Sequence, residues 1–229
     1  MTPLHSRPAP GGGRWLQVDP ERLARWLAGF EARHGQLGVE TGPTAVTCVA
    51  ADGSLAELRV PFPVLATDPG DRFGGIVAHA CTDRRIGVVL FRLGGHAAGV
   101  FEGSRMVASK VGSRQVHGRS AAGGWSQQRF ARRRAGQVVV ATAAAADTAA
   151  AVLLPWVDQL DAVVLGGDRA AVAALLDDPR LRGLRPLLAE PLLDVPDPRQ
   201  RILEQAPRMF RAVRIRLLET PAPPQPPPI

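Results

Sequence analysis

Apolar residues first recur at helical spacing at Leu23, Trp26, Leu27 and Phe30. The stripe predicts an amphipathic helix with those four in the core. Asp19-Pro20-Glu21 supplies its start: a capping acid, a proline at the first helical position and a carboxylate in the first turn. Gly35 marks its end. Two β-prone runs, 44–50 and 55–60, flank Ala51-Asp52-Gly53-Ser54, an Asp-Gly hairpin signal. Pro61-Phe62-Pro63 closes the second strand. Residues 64–82, with Asp68-Pro69-Gly70-Asp71 and Gly74-Gly75, read as a turn-rich linker ending at a boundary near Asp83.

From there the pattern changes. The run Ile86-Gly87-Val88-Val89-Leu90-Phe91 predicts a buried strand within 85–93, turned by Gly94-Gly95. Two more strands follow, 96–102 and 106–111, joined at Gly103-Ser104, to make an antiparallel meander. An alanine-rich helix runs from about Gln127 to Leu153, with Ser126 as its cap and Pro155 as its stop. Gly136 and Val138-Val139-Val140 weaken its propensity. A strand at 160–165, a helix at 169–176, a strand within 184–192, a helix at 197–206 and a last strand at 211–218 complete the chain. This order predicts a mixed α/β (α+β) fold, an α/β layer joined to the meander. The expected organisation is a disordered tail at 1–14, a helix-hairpin module and linker at 15–83, a main domain at 84–219 and a proline-rich tail at 220–229.

Composition narrows the class. At 229 residues and 45% apolar, the chain is long enough to bury a core. The apolar stretch 138–154 is broken by Thr142, Asp147 and Thr148, and no run is expected to span a membrane. The N-terminus lacks the apolar core of a secretion signal, so a cytoplasmic location is expected. Cys48 and Cys81 lie far apart, form no metal spacing and read as buried free thiols. Lys110 is the single lysine and tyrosine is missing, a bias of GC-rich coding that makes arginine abundance uninformative by itself. Its distribution is informative. Between Glu102 and Asp147 there is no acid and there are eight basic residues, while the rest of the chain nets −1. The whole excess of +7 therefore lies in that stretch. A local positive field of this kind attracts a polyanion.

Within it, residues 111–134 hold four glycines, three glutamines and six arginines. Glycine lets backbone approach a ligand, arginine grips phosphate through a planar fork, and glutamine donates and accepts hydrogen bonds at once. The mixture predicts a loop and helix start that touch an RNA backbone and present one polar side chain. Other chemistry fits less well. Two-metal hydrolysis needs carboxylates, and 103–146 has one neither in the loop nor beside it. His117 lies in the basic stretch but has no second acid-base group near it. His96, after the Gly-Gly turn, is expected at the surface. His79 and Cys81 lack partners for a metal. Gly166-Gly167-Asp168 reads as a turn with Asp168 capping the next helix. What remains is a primary amide, which does not titrate usefully but can orient water and hydrogen-bond a developing oxyanion.

Gly124-Trp125-Ser126-Gln127, followed by Gln128-Arg129-Phe130-Ala131-Arg132-Arg133-Arg134, resembles the GxxQ loop of the Vms-like release factors, in particular their actinobacterial branch. Gly94-Gly95-His96-Ala97-Ala98-Gly99-Val100-Phe101 and Val111-Gly112-Ser113-Arg114 resemble the family's strands, and the likeness covers roughly 84–219. The relatives include the central domain of eukaryotic and archaeal peptide-chain release factors, which carry Gly-Gly-Gln. Here Trp125 and Ser126 separate the glycines from the glutamine. The resemblance implies a release-factor-like mixed sheet with packed helices. It implies a codon-independent peptidyl-tRNA hydrolase that frees nascent chains at the peptidyl-transferase centre of stalled ribosomes or large subunits. Gln127 would direct water and Gly123 and Gly124 would shape the loop. Arg114, Arg119, Trp125, Gln128, Arg129, Arg132, Arg133 and Arg134 would contact RNA. No cofactor, metal, DNA or membrane partner is expected. Cleavage of the tRNA acceptor end and non-catalytic binding of ribosomal RNA are the alternatives.

Overall fold

A computed structural model describes residues 7–113 and 126–220, with backbone alone for 126–135. Its elements in chain order are β1 (Arg7–Pro8), β2 (Arg14–Val18), α1 (Pro20–His34), β3 (Leu37–Thr41), β4 (Ala45–Ala50), β5 (Leu55–Arg59), α2 (Ile76–Cys81), β6 (Arg85–Arg92), β7 (Gly95–Glu102), β8 (Arg105–Ser113), α3 (Ser126–Leu153), β9 (Ala162–Gly167), α4 (Arg169–Leu176), β10 (Leu188–Leu193), α5 (Gln200–Phe210) and β11 (Val213–Leu218). Stretches of 3-10 helix follow α3 at Leu154–Gln159 and α4 at Pro179–Leu187. The chain divides into two compact units, Met1–Thr82 with Arg211–Ile229, and Asp83–Phe210.

The first unit is an antiparallel sheet in the order β1-β2-β11-β5-β4-β3. One face is covered by α1, whose Leu23, Leu27 and Phe30 are fully buried against Val46, Cys48, Leu58 and Ile215. Each such side chain contributes roughly 1.5–3 kcal/mol by leaving water. Trp26 is half-buried and stacks on Phe30 at 5.5 Å between centroids. Glu21 in the first turn pairs with Arg211 at 2.8 Å, and Gly35 closes the helix at φ 88°. The Asp-Gly hairpin forms between β4 and β5, with Gly53 at φ 84°.

Four expectations for this unit need correction. Residues 7–13 are not a free tail: β1 pairs with β2, and the Ala9 amide donates to the Gly13 carbonyl at 3.0 Å. The linker holds α2, which buries Ile76 and Ala80 and places His79 Nε2 2.8 Å from the Pro61 carbonyl oxygen. Cys81 is exposed, whereas Cys48 is buried and its thiol is pushed up to about 11 by that burial. The last strand does not belong to the main domain. β11 lies between β2 and β5, with Val213, Ile215 and Leu217 turned into the first core. Alternation along a strand reports which residues are buried, not which strands they pair with.

The second unit is a mixed sheet in the order β10-β9-β6-β7-β8. β9 is parallel to both β10 and β6, while β6, β7 and β8 form the antiparallel meander. Helices cover both faces. A Cβ on Gly87 would lie 3.1 Å from Leu153 of α3, and one on Gly99 would lie 3.2 Å from Leu203 of α5. This explains why residues 86–91 are all buried, so that β6 reads as a continuous apolar run. Phe101, paired with Ile86, packs edge-on against Phe210 at 5.8 Å. Asp168 caps α4 by accepting from the Ala171 amide at 2.9 Å.

The stretch Gly136–Gln159 is, against the sequence expectation, helical and apolar enough to cross a membrane by length and composition. Its packing identifies it as a core helix. Ala141, Ala145, Ala146, Ala149, Val152 and Leu153 are buried in one cluster with Val89, Ala98, Val100 and Val163.

Candidate functional site

The basic stretch is bracketed by two elements of the second unit. β8 is an edge strand and ends at Ser113; α3 begins at Ser126. Arg114, Arg119, Gly123, Gly124 and Trp125, and also His117, lie outside the described residues. Gln127, Gln128, Arg129, Arg132, Arg133 and Arg134 occupy the first turns of α3. The helix puts the six in one continuous element, and the segment 114–125 joins it to the meander.

From Gly136 to Val140 no side chain is buried, Val139 being 68% exposed, and the first buried residue among those described is Ala141. At 1.5 Å per residue, Gln127 lies about 21 Å along the helix from Ala141. The half from Ala141 to Leu153 packs through small alanines that let α3 lie close to β7. The other half carries the arginines.

Flanking charges are already neutralised. Glu102, the last acid before the stretch, accepts hydrogen bonds from Arg85 and Arg105, which hold its carboxyl below the usual range, Arg85 most strongly. Asp147, the next acid, receives Arg180 at 2.7 Å. Arg105 is thus paired with Glu102, and Lys110, exposed, is the last cation along β8. Among the described residues no group of three or more His, Cys, Asp or Glu is placed to hold a metal.

His96 was expected at the surface and is instead 6% exposed. It faces Gly112 across the β7–β8 ladder, and a Cβ at Gly112 would sit 2.3 Å from its Nε2. The imidazole fills the space that the missing side chain leaves, one residue before β8 ends. A glycine opposite a histidine at a strand's end was the available sequence signal, but its meaning depended on the register.

Residues 84–216 match the family model of the Actinobacteria/chloroflexi VLRF1 release factor. The chain belongs to this family. The match covers the meander, α3 and all of the second unit from Arg84, and it runs on into β11 of the first. No curated protein shows a sequence match. Among solved structures, an archaeal translation termination factor, aRF1, is similar at 16% identity and a TM-score of 0.42, over 86% of this chain and 66% of that one. A structure described as an archaeal protein is similar at 16% identity and a TM-score of 0.38, over 69% of this chain and 48% of that one. The chain thus spans about half of one neighbour and just under two thirds of the other. Similarity at this level assigns no activity. The release-factor assignment comes from the family match, and Gln127 lies in the first turn of α3, within the acid-free stretch 103–146.

Proposed function

We propose that this release-factor family member hydrolyses peptidyl-tRNA on stalled ribosomes or split large subunits, in the cytoplasm and without reading a codon. The observation that carries the reading is the family match over 84–216 on a chain whose whole positive excess brackets its GxxQ segment. In this reading the Gln127 amide orients water towards the ester carbonyl and hydrogen-bonds the developing oxyanion. The vicinal ribose hydroxyl of the tRNA relays the proton to the leaving oxygen, so no side chain need titrate. Gly123 and Gly124 let the backbone approach the acceptor end. Arg114, Arg119, Arg129, Arg132, Arg133 and Arg134 neutralise phosphate, and Trp125 and Gln128 contact RNA. The partners are the large-subunit peptidyl-transferase centre and peptidyl-tRNA, with no metal or organic cofactor in the chemistry.

The test is single-turnover release from peptidyl-tRNA-bearing ribosomes with saturating protein, alongside co-sedimentation. Gln127→Ala should slow release ~100- to 1000-fold, the usual effect of losing one transition-state hydrogen-bonding group, and leave sedimentation unchanged. Gln128→Ala, about 100° around the helix, should have a much smaller effect. Full activity in Gln127→Ala removes the mechanism. Terminal nucleotides on the released peptide would replace ester hydrolysis with RNA cleavage.

A further inference from the structure

The first unit has a second face. Its sheet buries the row Leu16, Ile215, Leu58 and Val46 under α1, so the alternate residues point away from the helix. Strand register sets these in two rows. Gln17, Arg214 and Arg59 are cross-strand neighbours, and beside them run Trp15, Arg216, Glu57 and Thr47. All are exposed or half-exposed. Three arginines against one glutamate leave the centre of the face positive. Glu57 is held between Arg59 at 2.8 Å and Arg216 at 3.9 Å, and Arg216 also donates to the Gly11 carbonyl at 2.9 Å. Arg216 is thereby a fixed part of the sheet.

Arg214 is different. Its guanidinium carbon lies 4.9 Å from the centre of the Trp15 ring, and it makes no hydrogen bond or ion pair with a described residue. An arginine head thus sits over an indole, next to the exposed Arg59. Guanidinium planes and aromatic rings are the surfaces on which unpaired bases stack, and arginine donors bind the phosphates between them.

We propose that this face of the first unit binds single-stranded RNA, with Trp15 and Arg214 as the stacking platform and Arg59 as a phosphate contact. The inference goes beyond the release reaction and does not require it, since none of these residues lies in the basic stretch around the GxxQ segment. The occupant is argued from charge and from the indole–guanidinium pair: an acidic protein would satisfy the arginines but would leave the stacked plane unused.

The experiment titrates the full chain with a fluorescent single-stranded RNA of about twelve nucleotides, within the usual site size of such surfaces. Arg59→Glu/Arg214→Glu should weaken binding at least tenfold and flatten the salt dependence by about 1.4 in log–log slope, ~0.7 for each of two phosphates. Trp15→Ala should weaken it about tenfold, and Arg214→Lys, which keeps the charge and loses the plane, should fall between. Arg22→Glu/Arg25→Glu, on the exposed side of α1, should have little effect. Arg132→Glu/Arg133→Glu/Arg134→Glu should leave a residual affinity that the sheet variant removes. Circular-dichroism melts confirm folding, and the neutral Arg214→Gln serves if the reversal unfolds the unit. Undiminished affinity in folded Arg59→Glu/Arg214→Glu or Arg214→Gln overturns the proposal. So does complete loss from the α3 reversals, or lost ribosome sedimentation with RNA affinity intact, the sign of a protein partner. Gln127→Ala should bind this RNA normally, so failure of the release mechanism and failure of this site are read separately.

Discussion

The contact between His96 and Gly112 makes a quantitative test of how the end of β8 is held. A Cβ at position 112 would lie 2.3 Å from Nε2 and 2.7 Å from Cε1 of an imidazole that is only 6% exposed. A surface side chain would swing aside. This ring is enclosed, so it or β8 must shift, and such overpacking costs about 1–3 kcal/mol. Alanine recovers roughly 0.5–1 kcal/mol over glycine in a strand by restricting the unfolded chain. Gly112→Ala should therefore destabilise by about 1–2 kcal/mol. In a His96→Ala background the clash is gone, and the same change should stabilise slightly. The coupling in the cycle should be about 1.5–3 kcal/mol, well above the ~0.5 kcal/mol scatter of independent sites. Urea unfolding by circular dichroism supplies the four stabilities, and amide exchange in β7 and β8 shows where the loss falls. Additive single changes would refute the packing and with it the assignment of Gly112 as a histidine cradle.

Two further outcomes follow from charge. Arg132→Glu/Arg133→Glu/Arg134→Glu should abolish ribosome co-sedimentation, whereas reversals at Arg199, Arg201 and Arg208 should weaken it far less; equal losses would show that the basic stretch is not the contact. Arg180's guanidinium holds the Asp178 carboxyl down at about 2, so its contribution is complete above about pH 4 and fades as pH falls towards about 2. Asp178→Asn should flatten the pH dependence of the melting temperature over that window in calorimetry, and only slightly, because the pair is at the surface.

The elements with strong local signals were readable from the chain. The stripe of α1, the Asp-Gly hairpin, the meander and the alanine helix all form near their expected bounds. What local pattern could not supply was partnership. β1, β2 and β3 are short and of mixed polarity, and they are strands because neighbours complete their ladders. His96 follows a glycine turn, a surface signal, yet the register places it over Gly112 and inside. The face bearing Trp15 and Arg214 joins residues about 200 positions apart, and no window along the chain contains both. For the candidate site, the sequence identified a loop and helix start through composition, and the fold adds that the same helix is buried in the second core through Ala141, Ala145, Ala146 and Ala149.

The route of the chain decides which segments can stand by themselves. The second unit is inserted between α2 and β11, so the first sheet is completed only by a strand from the far side of the insertion. Without 211–220, residues 1–82 keep β1-β2 and β5-β4-β3 but lose the strand that joins them. Val213, Ile215 and Leu217 are then missing from the core, each at most 2% exposed in the intact chain. Full burial of three such side chains is worth roughly 5–9 kcal/mol, comparable with the whole stability of a small domain. Residues 1–82 should therefore not fold cooperatively, and a peptide of residues 211–220 added in trans should restore a sheet-like circular-dichroism spectrum and a melting transition. Residues 83–210 should fold unaided, because their sheet is made entirely of their own strands. Residues 84–219 should be worse behaved than 83–210 despite being longer, since they carry β11 with neither neighbour and present an unpaired apolar strand. A cooperative melt from residues 1–82 without the peptide would show that β11 is an accessory to that sheet and not its centre.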